Sequence, residues 1–387
     1  MFELIVIVLI VLIFFTIFLF NRNRKDDGYN RDSSHYNKSA TGYDKGVDDN
    51  HRQPTTASKP TTKKSNPLSF LKKVFIVKPK LPFDDESIEW VSNFVGVEKE
   101  KMVSILSNVP AYYNQFRMPK RSGGSRQIAA PNMELLLIER TIYQRVLLPA
   151  NIHPAATGFR QNVSIIHNAK PHLGKKNVLK VDLHNFFGSV KQPKVVAAFE
   201  KIGYPTNIAR VLAYLCCLDF CLPQGAPTSP ALSNIVAYDM DIELEALAKQ
   251  YNCIYTRYAD DLTFSGDSIS SDILLPAITT IVDKYKFRLN RKKTRYAAYN
   301  KRKIITGISI SSGEKLTIPK MKKRELRKNI HFILTKGLAE HQRHIGSTDP
   351  AYLQRVLGYL SFWLSVEPDN QYVLDSLAAL KKLRKSH

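Results

Sequence analysis

The chain has 387 residues, 44% of them hydrophobic, and carries 57 Lys and Arg against 34 Asp and Glu, a net charge of +23. This length and apolar content exclude a wholly disordered chain and support one large folded unit. The charge indicates a polyanionic partner, either nucleic acid or an anionic membrane face. Because residues 1–66 hold only +3 of that charge, the excess lies on the part predicted to fold, which favours nucleic acid.

Residues 4–20 consist almost entirely of Leu, Ile, Val and Phe, with Thr16 the only polar side chain. A helix of this length spans about 26 Å, slightly less than the ~30 Å hydrocarbon core of a bilayer. Arg22, Arg24 and Lys25 follow directly, and such basic flanks stay in the cytoplasm. The pattern predicts a single-pass transmembrane anchor in residues 1–25, in the inner (cytoplasmic) membrane, with the bulk of the chain in the cytoplasm. A buried core helix is the alternative.

Residues 26–66 are rich in Asn, Asp, Ser, Thr and Lys and nearly lack branched aliphatic side chains. Such a segment buries too little apolar surface to offset its ordering entropy, so a disordered linker is predicted.

The cysteines show neither a disulfide framework nor a zinc-ligand spacing, and buried thiols in a reducing cytosol are expected. They are Cys216, Cys217, Cys221 and Cys253.

Hydrophobic periodicity divides the remaining chain into helices and strands. Helices are predicted over Asp84–Val109, Met133–Leu147, Val195–Ile202, Asn207–Leu218, Pro230–Tyr251, Ser271–Tyr285 and from Pro319 to the end. Strands are predicted over Tyr112–Met118, Asn177–Leu183, Ile254–Tyr258, Leu262–Ser265, and as a hairpin over Ile304–Ile310 and Lys315–Ile318 around Ser312-Gly313. The acidic residues of the helix Pro230–Tyr251, including Asp241, are expected on its more solvent-exposed faces. The middle of the chain therefore mixes an antiparallel sheet with helices, and its end is helical.

Two adjacent acids, Asp260 and Asp261, stand at the tip of the predicted hairpin, between hydrophobic runs. Like charges this close repel unless cations lie beside them. An acidic solvent-exposed turn is the alternative, but the apolar flanks indicate that these acids emerge from a buried sheet. Asp182 ends another predicted strand and would complete a three-carboxylate site. Two Mg²⁺ ions held by such oxygens activate a hydroxyl and stabilise a leaving phosphate oxygen, which is the chemistry of nucleotidyl transfer.

A third feature is the run from Leu222 to Pro230, which contains Gln224, Gly225 and three prolines before the long helix. Its small residues allow a nucleotide or base pair to approach the backbone closely. By itself this run is an ordinary helix-entry loop.

The order and spacing of these motifs resemble those of reverse transcriptases, and within them the bacterial retron type. The resemblance covers about residues 112 to 310. Its motifs are Arg126-Gln127-Ile128, Val181-Asp182-Leu183 with Phe186-Phe187, Leu222-Pro223-Gln224-Gly225, Tyr258-Ala259-Asp260-Asp261, Asn290 with Lys293-Thr294, and Ile305-Thr306-Gly307. Asn168-Ala169-Lys170-Pro171-His172 fits the Asn-Ala-x-x-His signature of retrons. Ile305-Thr306-Gly307 departs from their Val-Thr-Gly signature by one residue, which leaves the choice of guide RNA open.

The resemblance implies an α+β right-hand polymerase with fingers over 67–175, an antiparallel-sheet palm over 176–312 and a helical thumb over 313–387. Asp182, Asp260 and Asp261 would ligate two Mg²⁺ ions, or Mn²⁺ in their place, and Lys293 would protonate the leaving pyrophosphate. The residues implied to contact the incoming deoxynucleoside triphosphate or template are Arg126, Lys120, Phe186, Gln224 and Gly225. Phe186 is implied to lie under the sugar and to reject a 2′-hydroxyl by sterics. Asn168 and His172 are implied to help grip the RNA.

The segment Lys315–Arg343 carries nine Lys and Arg against two acids. Following a polymerase core, it predicts a thumb that lies along the template–product duplex and contacts phosphates. The cations expected on one helical face are Lys320, Lys323, Arg327 and Lys328. As the resemblance implies, the partners are a structured noncoding RNA and its DNA product, whose synthesis starts from an RNA 2′-hydroxyl. An effector protein of antiphage defence is a further implied partner. The helix at 4–20 would itself be the effector if it is membrane-active.

Two alternatives remain open from the sequence. One is another bacterial reverse transcriptase, of the intron, diversity-generating or other defence type. The other is a non-catalytic, membrane-tethered RNA-binding scaffold on a decayed polymerase fold, which the three intact acids oppose. A nucleotide cyclase also uses paired acids in a similar sheet, but its Gly-Gly-acid loop is missing from this chain.

Overall fold

A computed structural model describes residues 81–120 and 123–385 of the chain. The predicted transmembrane helix at 4–20 and the predicted linker at 26–66 lie outside these residues. Within them, no helix is both long and apolar enough to cross a membrane.

The centre of the fold is a four-stranded antiparallel sheet, as the sequence predicts for the palm. Its strands are β3 (Asn177–Asp182), β4 (Ile254–Tyr258), β5 (Asp261–Gly266) and β6 (Arg295–Ala297). Their order in the sheet is β4-β5-β3-β6. The sequence did not predict β6, because its three residues are largely exposed and show no apolar alternation. The other three strands are buried over most of their length, which is why their hydrophobic runs were readable.

Three helices accompany this sheet. They are α8 (Ser229–Val236), α9 (Tyr238–Gln250), which packs on β4, and α10 (Ser271–Lys284), which packs on α9. One helix over Pro230–Tyr251 was predicted, but buried Ala237 adopts φ −83° and ψ 0° and divides it. The expectation that Asp241 lies on a wetter face is wrong, because its side chain is fully buried against β4.

The chain from Asp85 to Leu215 contributes, besides β3, a set of helices and one hairpin. Its helices are α1 (Asp85–Val95), α2 (Lys99–Ser107), α3 (Met133–Ile142), α4 (Ile165–Ala169), α5 (Phe186–Ser189), α6 (Gln192–Ile202) and α7 (Thr206–Leu215). The predicted single helix over Asp84–Val109 is two helices, because Gly96 takes a left-handed conformation (φ 74°) and ends the first. The hairpin pairs β1 (Tyr113–Pro119) with β2 (Ser125–Pro131). Only β1 was predicted, since the residues of β2 alternate too weakly in hydropathy.

The C-terminal part is helical, as predicted, and forms a second apolar core around the fully buried Trp363. Its helices are α11 (Lys320–Lys336), α12 (Leu338–His344), α13 (Tyr352–Val366) and α14 (Gln371–Lys385). A small hairpin of β7 (Ile304–Ile305) and β8 (Ile308–Ser309) precedes them. The predicted turn around Ser312-Gly313 is present, because Ser309 pairs antiparallel with Thr317 across it. The chain also turns at Thr306 and Gly307, both with positive φ, and this unpredicted turn divides the predicted strand Ile304–Ile310 into β7 and β8. All four cysteines are free, and only Cys221 is partly exposed.

Candidate active site

The main chain brings the three predicted acids to one end of the sheet. Asp182 ends β3 directly opposite Asp261, the first residue of β5. The carbonyl of Asp260 accepts a hydrogen bond from the amide of Leu183 at 2.8 Å, and the carbonyl of Asp182 accepts one from the amide of Asn290 at 2.7 Å. Asp182 is therefore held beside Asp260 and Asp261, which are distant from it in sequence. The hydrogen bonds of the paired strands and of the residues that flank them hold it there.

The carboxylates repel one another in a setting of low polarity. Asp182 is 5% exposed, and Asp260 and Asp261 are half-buried. Burial raises the pKa of Asp260, and the neighbouring Asp182 and Asp261 raise it further. Burial also raises the pKa of Asp261, while Lys180 opposes that rise. Such crowding of acids is what a bound cation would relieve.

Lys293 lies within the same site, as predicted. Its ammonium nitrogen donates a hydrogen bond to Oδ2 of Asp182 at 2.8 Å, while 59% of the side chain stays exposed. That hydrogen bond raises the pKa of Lys293, so the group carries a full positive charge. A short 3₁₀ turn, Arg291–Lys293, after Asn290 directs it toward the sheet.

The donor set suits a hard divalent cation, because it consists of carboxylate oxygens alone. Within residues 81–120 and 123–385, no group of three or more Asp, Glu, His or Cys side chains is already arranged to hold a metal ion. Asp182 is instead turned to Lys293, whose ammonium holds positive charge against the acids. The residues present therefore fit the predicted ions in charge and chemistry, and metal ligation stays a prediction.

The loop that carries Gln224 and Gly225 packs against the hairpin of β1 and β2. The carbonyl of Gln224 accepts a hydrogen bond from the amide of Ala129 in β2 at 2.9 Å. Gly225 has φ 135°, and a β-carbon there would lie 2.6 Å from the carbonyl oxygen of Ala129. Only glycine fits this position. Arg126, on the same strand, and Lys120, at the end of the hairpin, are both exposed. Their contact with nucleotide stays a prediction.

The predicted sugar contact of Phe186 needs correction. This ring is only 5% exposed and packs against Phe287 and the guanidinium of Arg257, at 5.5 and 5.7 Å between centres. Phe187 is half-buried instead, and its ring lies 5.9 Å from that of Phe159, which is 39% exposed. Because a residue that selects against a 2′-hydroxyl must reach the substrate, Phe187 is the better candidate.

The prediction that Asn168 and His172 contact RNA also needs correction, because both side chains are fully buried. The two ring nitrogens of His172 lie 2.6 Å from the hydroxyl of Ser265 and 2.8 Å from that of Thr256, both in the sheet. Burial lowers the pKa of His172 to about 3, so the ring is neutral. It therefore braces the chain against the central sheet.

Asn168 connects the two retron signatures. Its amide nitrogen donates to the hydroxyl of Thr306 at 3.4 Å, and its amide oxygen accepts from the hydroxyl of Thr157 at 2.8 Å. The Asn-Ala-x-x-His segment thus contacts the Ile-Thr-Gly turn at the base of the C-terminal helices. A positioning role for both motifs follows from these contacts.

The predicted basic face on α11 is only partly available. Lys320, Arg327 and Lys328 are exposed. Lys323 is 23% exposed and forms an ion pair with Glu367 at 2.7 Å, so this cation is already neutralised. Arg327 also lies over the rings of Tyr372 and Trp363. Sequence reasoning passed over Arg324, which is exposed on the same helix.

Sequence reasoning also missed the buried polar residues that support the site. Arg257 and Asp241 form a fully buried ion pair at 2.6 Å, and Glu139 is fully buried between β1 and the loop before α8. One signal for Arg257 was present, since it lies two residues after Tyr255 in β4 and must share the inward face of that residue. A charge at such a position requires a buried partner.

Comparison with known proteins finds a family model and several relatives. The model described as reverse transcriptase (RNA-dependent DNA polymerase) matches residues 118–333. Retron Ec86 reverse transcriptase of Escherichia coli is 33% identical over 263 residues, which cover 68% of this chain and 78% of that protein. Retron Ec83 reverse transcriptase of the same species is 28% identical over 301 residues, covering 72% and 93%. Retron Mx65 reverse transcriptase of Myxococcus xanthus is 35% identical over 254 residues, covering 60% and 59%.

Proposed function

Because the chain belongs to the reverse transcriptase family and is a retron-type RNA-directed DNA polymerase, we propose that it copies a structured noncoding RNA into DNA at Asp182, Asp260 and Asp261. The observation that carries this proposal is the pairing of Asp182 with Asp261 across β3 and β5, beside the Asp260 turn. An RNA template and nucleotide substrates follow from the family. The identity of the residues that hold them is our proposal.

The three acids are proposed to hold two Mg²⁺ ions, or Mn²⁺, which activate the attacking hydroxyl and stabilise the leaving oxygen. Lys293 neutralises Asp182 before substrate binds and then offers its proton to the leaving pyrophosphate. Its 2.8 Å contact with Asp182 supports the neutralising role, and its raised pKa keeps the ammonium fully protonated before substrate binds. The protein's contribution is largely to position and to supply charge, as in other phosphoryl transfers.

The fingers hairpin and the loop packed on it are proposed to hold the incoming deoxynucleoside triphosphate. Exposed Arg126 and Lys120 supply positive charge for its phosphates, and Gln224 and Gly225 line the approach to the base pair. Phe187 is proposed to exclude the 2′-hydroxyl of a ribonucleotide. The tight fit of Gly225 on Ala129 supports a single fixed position for this loop.

The chain is proposed to divide into fingers over 67–175, a palm over 176–312 and a thumb over 313–387. The exposed cations of the helix Lys320–Lys336 support duplex binding by this thumb, through phosphate contacts without sequence readout. The proposed RNA contacts are Lys320, Arg324, Arg327 and Lys328.

DNA synthesis is proposed to start from a 2′-hydroxyl of a guanosine in the RNA, giving a branched RNA–DNA product. The resemblance to retrons supports this start and an antiphage role with an effector protein. The hydrophobic segment 4–20 and the basic residues after it support anchoring in the inner membrane, with the catalytic part in the cytoplasm. Deleting residues 1–25 would separate anchoring, or a membrane-active role of the segment, from DNA synthesis and from phage protection.

Primer extension on an RNA template, with the full chain and its Asp260→Asn and Asp261→Asn variants, tests the proposed site. We expect both variants to retain RNA binding and to lose DNA synthesis by several orders of magnitude. Sequencing the nucleic acid that copurifies with the parent protein tests the RNA and the branch. Unchanged synthesis by Asp260→Asn would favour a site elsewhere, and absence of synthesis by the parent would favour the RNA-binding scaffold.

A further inference from the structure

A fully buried polar cluster lies directly behind the catalytic turn. The guanidinium of Arg257 donates two hydrogen bonds to the two carboxylate oxygens of Asp241, at 2.8 and 2.6 Å. Its third nitrogen donates to Oδ1 of Asn234 at 3.0 Å and to the carbonyl oxygen of Ala259 at 3.2 Å. Asp241 also accepts a hydrogen bond from the hydroxyl of Tyr255 at 2.7 Å. We call these four side chains, Arg257, Asp241, Asn234 and Tyr255, the Arg257 cluster.

The turn that this cluster contacts has an unfavourable backbone conformation. Ala259, immediately before Asp260, has φ 58°, in the left-handed region that residues with a β-carbon rarely adopt. Gly158 packs so closely against the turn that a β-carbon there would lie 2.6 Å from the amide nitrogen of Ala259. Asn234 donates to the carbonyl of Gly158 at 2.9 Å. The cluster therefore holds both the turn and the segment packed on it.

Neither charge balance nor stability alone accounts for the Arg257 cluster. The bidentate contact with Asp241 neutralises the guanidinium, and both side chains are 0% exposed, so Arg257 is matched by its own acid. Buried ion pairs are often replaced by uncharged residues without loss of stability. What an uncharged replacement would not reproduce is the hydrogen bond to the carbonyl of Ala259.

We propose that Arg257 is a positioning residue of the polymerase: through its hydrogen bonds to Ala259 and Asn234, it fixes the strained turn and thereby sets where Asp260 meets the metal ions. This inference rests on the proposed function. Arg257 touches neither substrate nor metal, and it acts through the backbone of residue 259. The same guanidinium packs against Phe186, the neighbour of the proposed sugar contact Phe187. One buried group thus contacts elements on two sides of the site.

Two variants of the full chain test this role. The double variant Arg257→Gln with Asp241→Asn removes both charges and the contact with Ala259, while amides remain to pair with Tyr255 and each other. Arg257→Lys keeps the charge opposite Asp241 but loses the planar fork that reaches several acceptors. The matched control is Glu243→Gln with Lys284→Gln, which makes the same type of change in an ion pair between α9 and α10.

The measurements are thermal melting, affinity for the RNA template–primer, Mn²⁺ binding by electron paramagnetic resonance without nucleotide, and steady-state kcat and KM. We expect both Arg257 variants to melt cooperatively and to bind RNA as the parent does. Their Mn²⁺ affinity should fall at least about tenfold and kcat about 100-fold, since misplacement of a reacting group by about 1 Å has effects of that order. KM for the nucleotide should change little. The control should match the parent in every measurement.

Parent-like Mn²⁺ binding and kcat in either Arg257 variant would overturn the proposal. Loss of cooperative melting in both would also overturn it, because the cluster would then serve stability alone. Asp260→Asn, measured in parallel, keeps this outcome separate from the proposed function. If that variant still synthesises DNA, the assignment of the site fails, whatever the Arg257 variants do.

Discussion

Glu139 is a carboxyl group that folding removes from water, and its titration should be visible in the stability of the protein. Its two oxygens accept hydrogen bonds from the hydroxyls of Tyr113 at 2.6 Å and Thr228 at 3.0 Å. Burial raises the pKa of Glu139 from 4.5 to about 7, and these hydrogen bonds only partly oppose the rise. The nearby titratable groups Tyr113, Cys216 and Cys217 are neutral at this pH, since burial raises the pKa of each.

The direction of the pH effect follows from proton binding. Between pH 4.5 and 7 the folded protein holds a proton on Glu139 that the unfolded chain has released, so unfolding releases a proton. The contribution of Glu139 to stability is therefore complete below pH 4.5 and is lost as pH rises through 7. A pKa difference between 4.5 and about 7 corresponds to about 3 kcal/mol of unfolding free energy.

Glu139→Gln removes this titration and keeps the shape of the side chain. The amide oxygen still accepts from Tyr113, and the amide nitrogen donates to the hydroxyl of Thr228, which can act as an acceptor. Denaturant unfolding of the full chain between pH 4.5 and 8 should show the parent losing about 3 kcal/mol relative to this variant. The control is Glu134→Gln, an exposed acid on the same helix that pairs with Lys101, and it should follow the parent. Parallel pH profiles for the parent and Glu139→Gln would refute the reasoning.

Four further substitutions test corrected or local features of the site. Gly225→Ala places a methyl group against the carbonyl of Ala129, so KM for the nucleotide should rise about tenfold or more with unchanged RNA affinity, which steady-state kinetics measures. Phe187→Ala should increase incorporation of ribonucleotides, read on sequencing gels. Phe186→Ala should instead lower the unfolding free energy by about 3–5 kcal/mol. The reverse pattern would restore Phe186 as the residue that rejects a 2′-hydroxyl. His172→Ala leaves two buried hydroxyls unpaired and should cost about 2–4 kcal/mol in chemical denaturation, while a specific loss of RNA affinity in the folded variant would contradict its bracing role.

The reacting groups were predictable from the sequence because chemistry restricts them to few residue types. Asp182 at a strand end and Asp260-Asp261 at a hairpin tip are acids next to apolar runs, and the structure brings them together at one end of the sheet. The sheet, the hairpin and most helices were readable for a similar reason, since burial on one or two faces imposes a period. Where burial is slight, as in β2 and β6, the sequence carried no such signal.

Breaks and turns were less predictable, because they depend on single residues in unusual conformations. Hydrophobic periodicity continues across Ala237, so α8 and α9 were taken as one helix, although ψ 0° at that residue ends the first. The turn around Ser312-Gly313 was predicted and is present, since Ser309 pairs with Thr317 across it, but the turn at Thr306-Gly307, with positive φ at both positions, was not predicted. A tertiary contact, the hydrogen bond from Asn168 to Thr306, accompanies this second turn, and hydrophobic periodicity does not record such contacts.

The residues that sequence reasoning misplaced are almost all polar groups that the fold buries. Asp241, Asn168 and His172 are each 0% exposed, although polar side chains of these types usually lie at least partly on the surface. A hydropathy scale assigns every charged side chain to the solvent, and only the partner of that side chain in the fold shows that it is buried. The partner of Asp241 is Arg257, on a different element 16 residues away. Since a strained turn such as that at Ala259 persists only when its surroundings hold it, a sequence that predicts the turn also predicts that buried donors exist nearby. It does not say which residues they are, and that is what the three-dimensional contacts add.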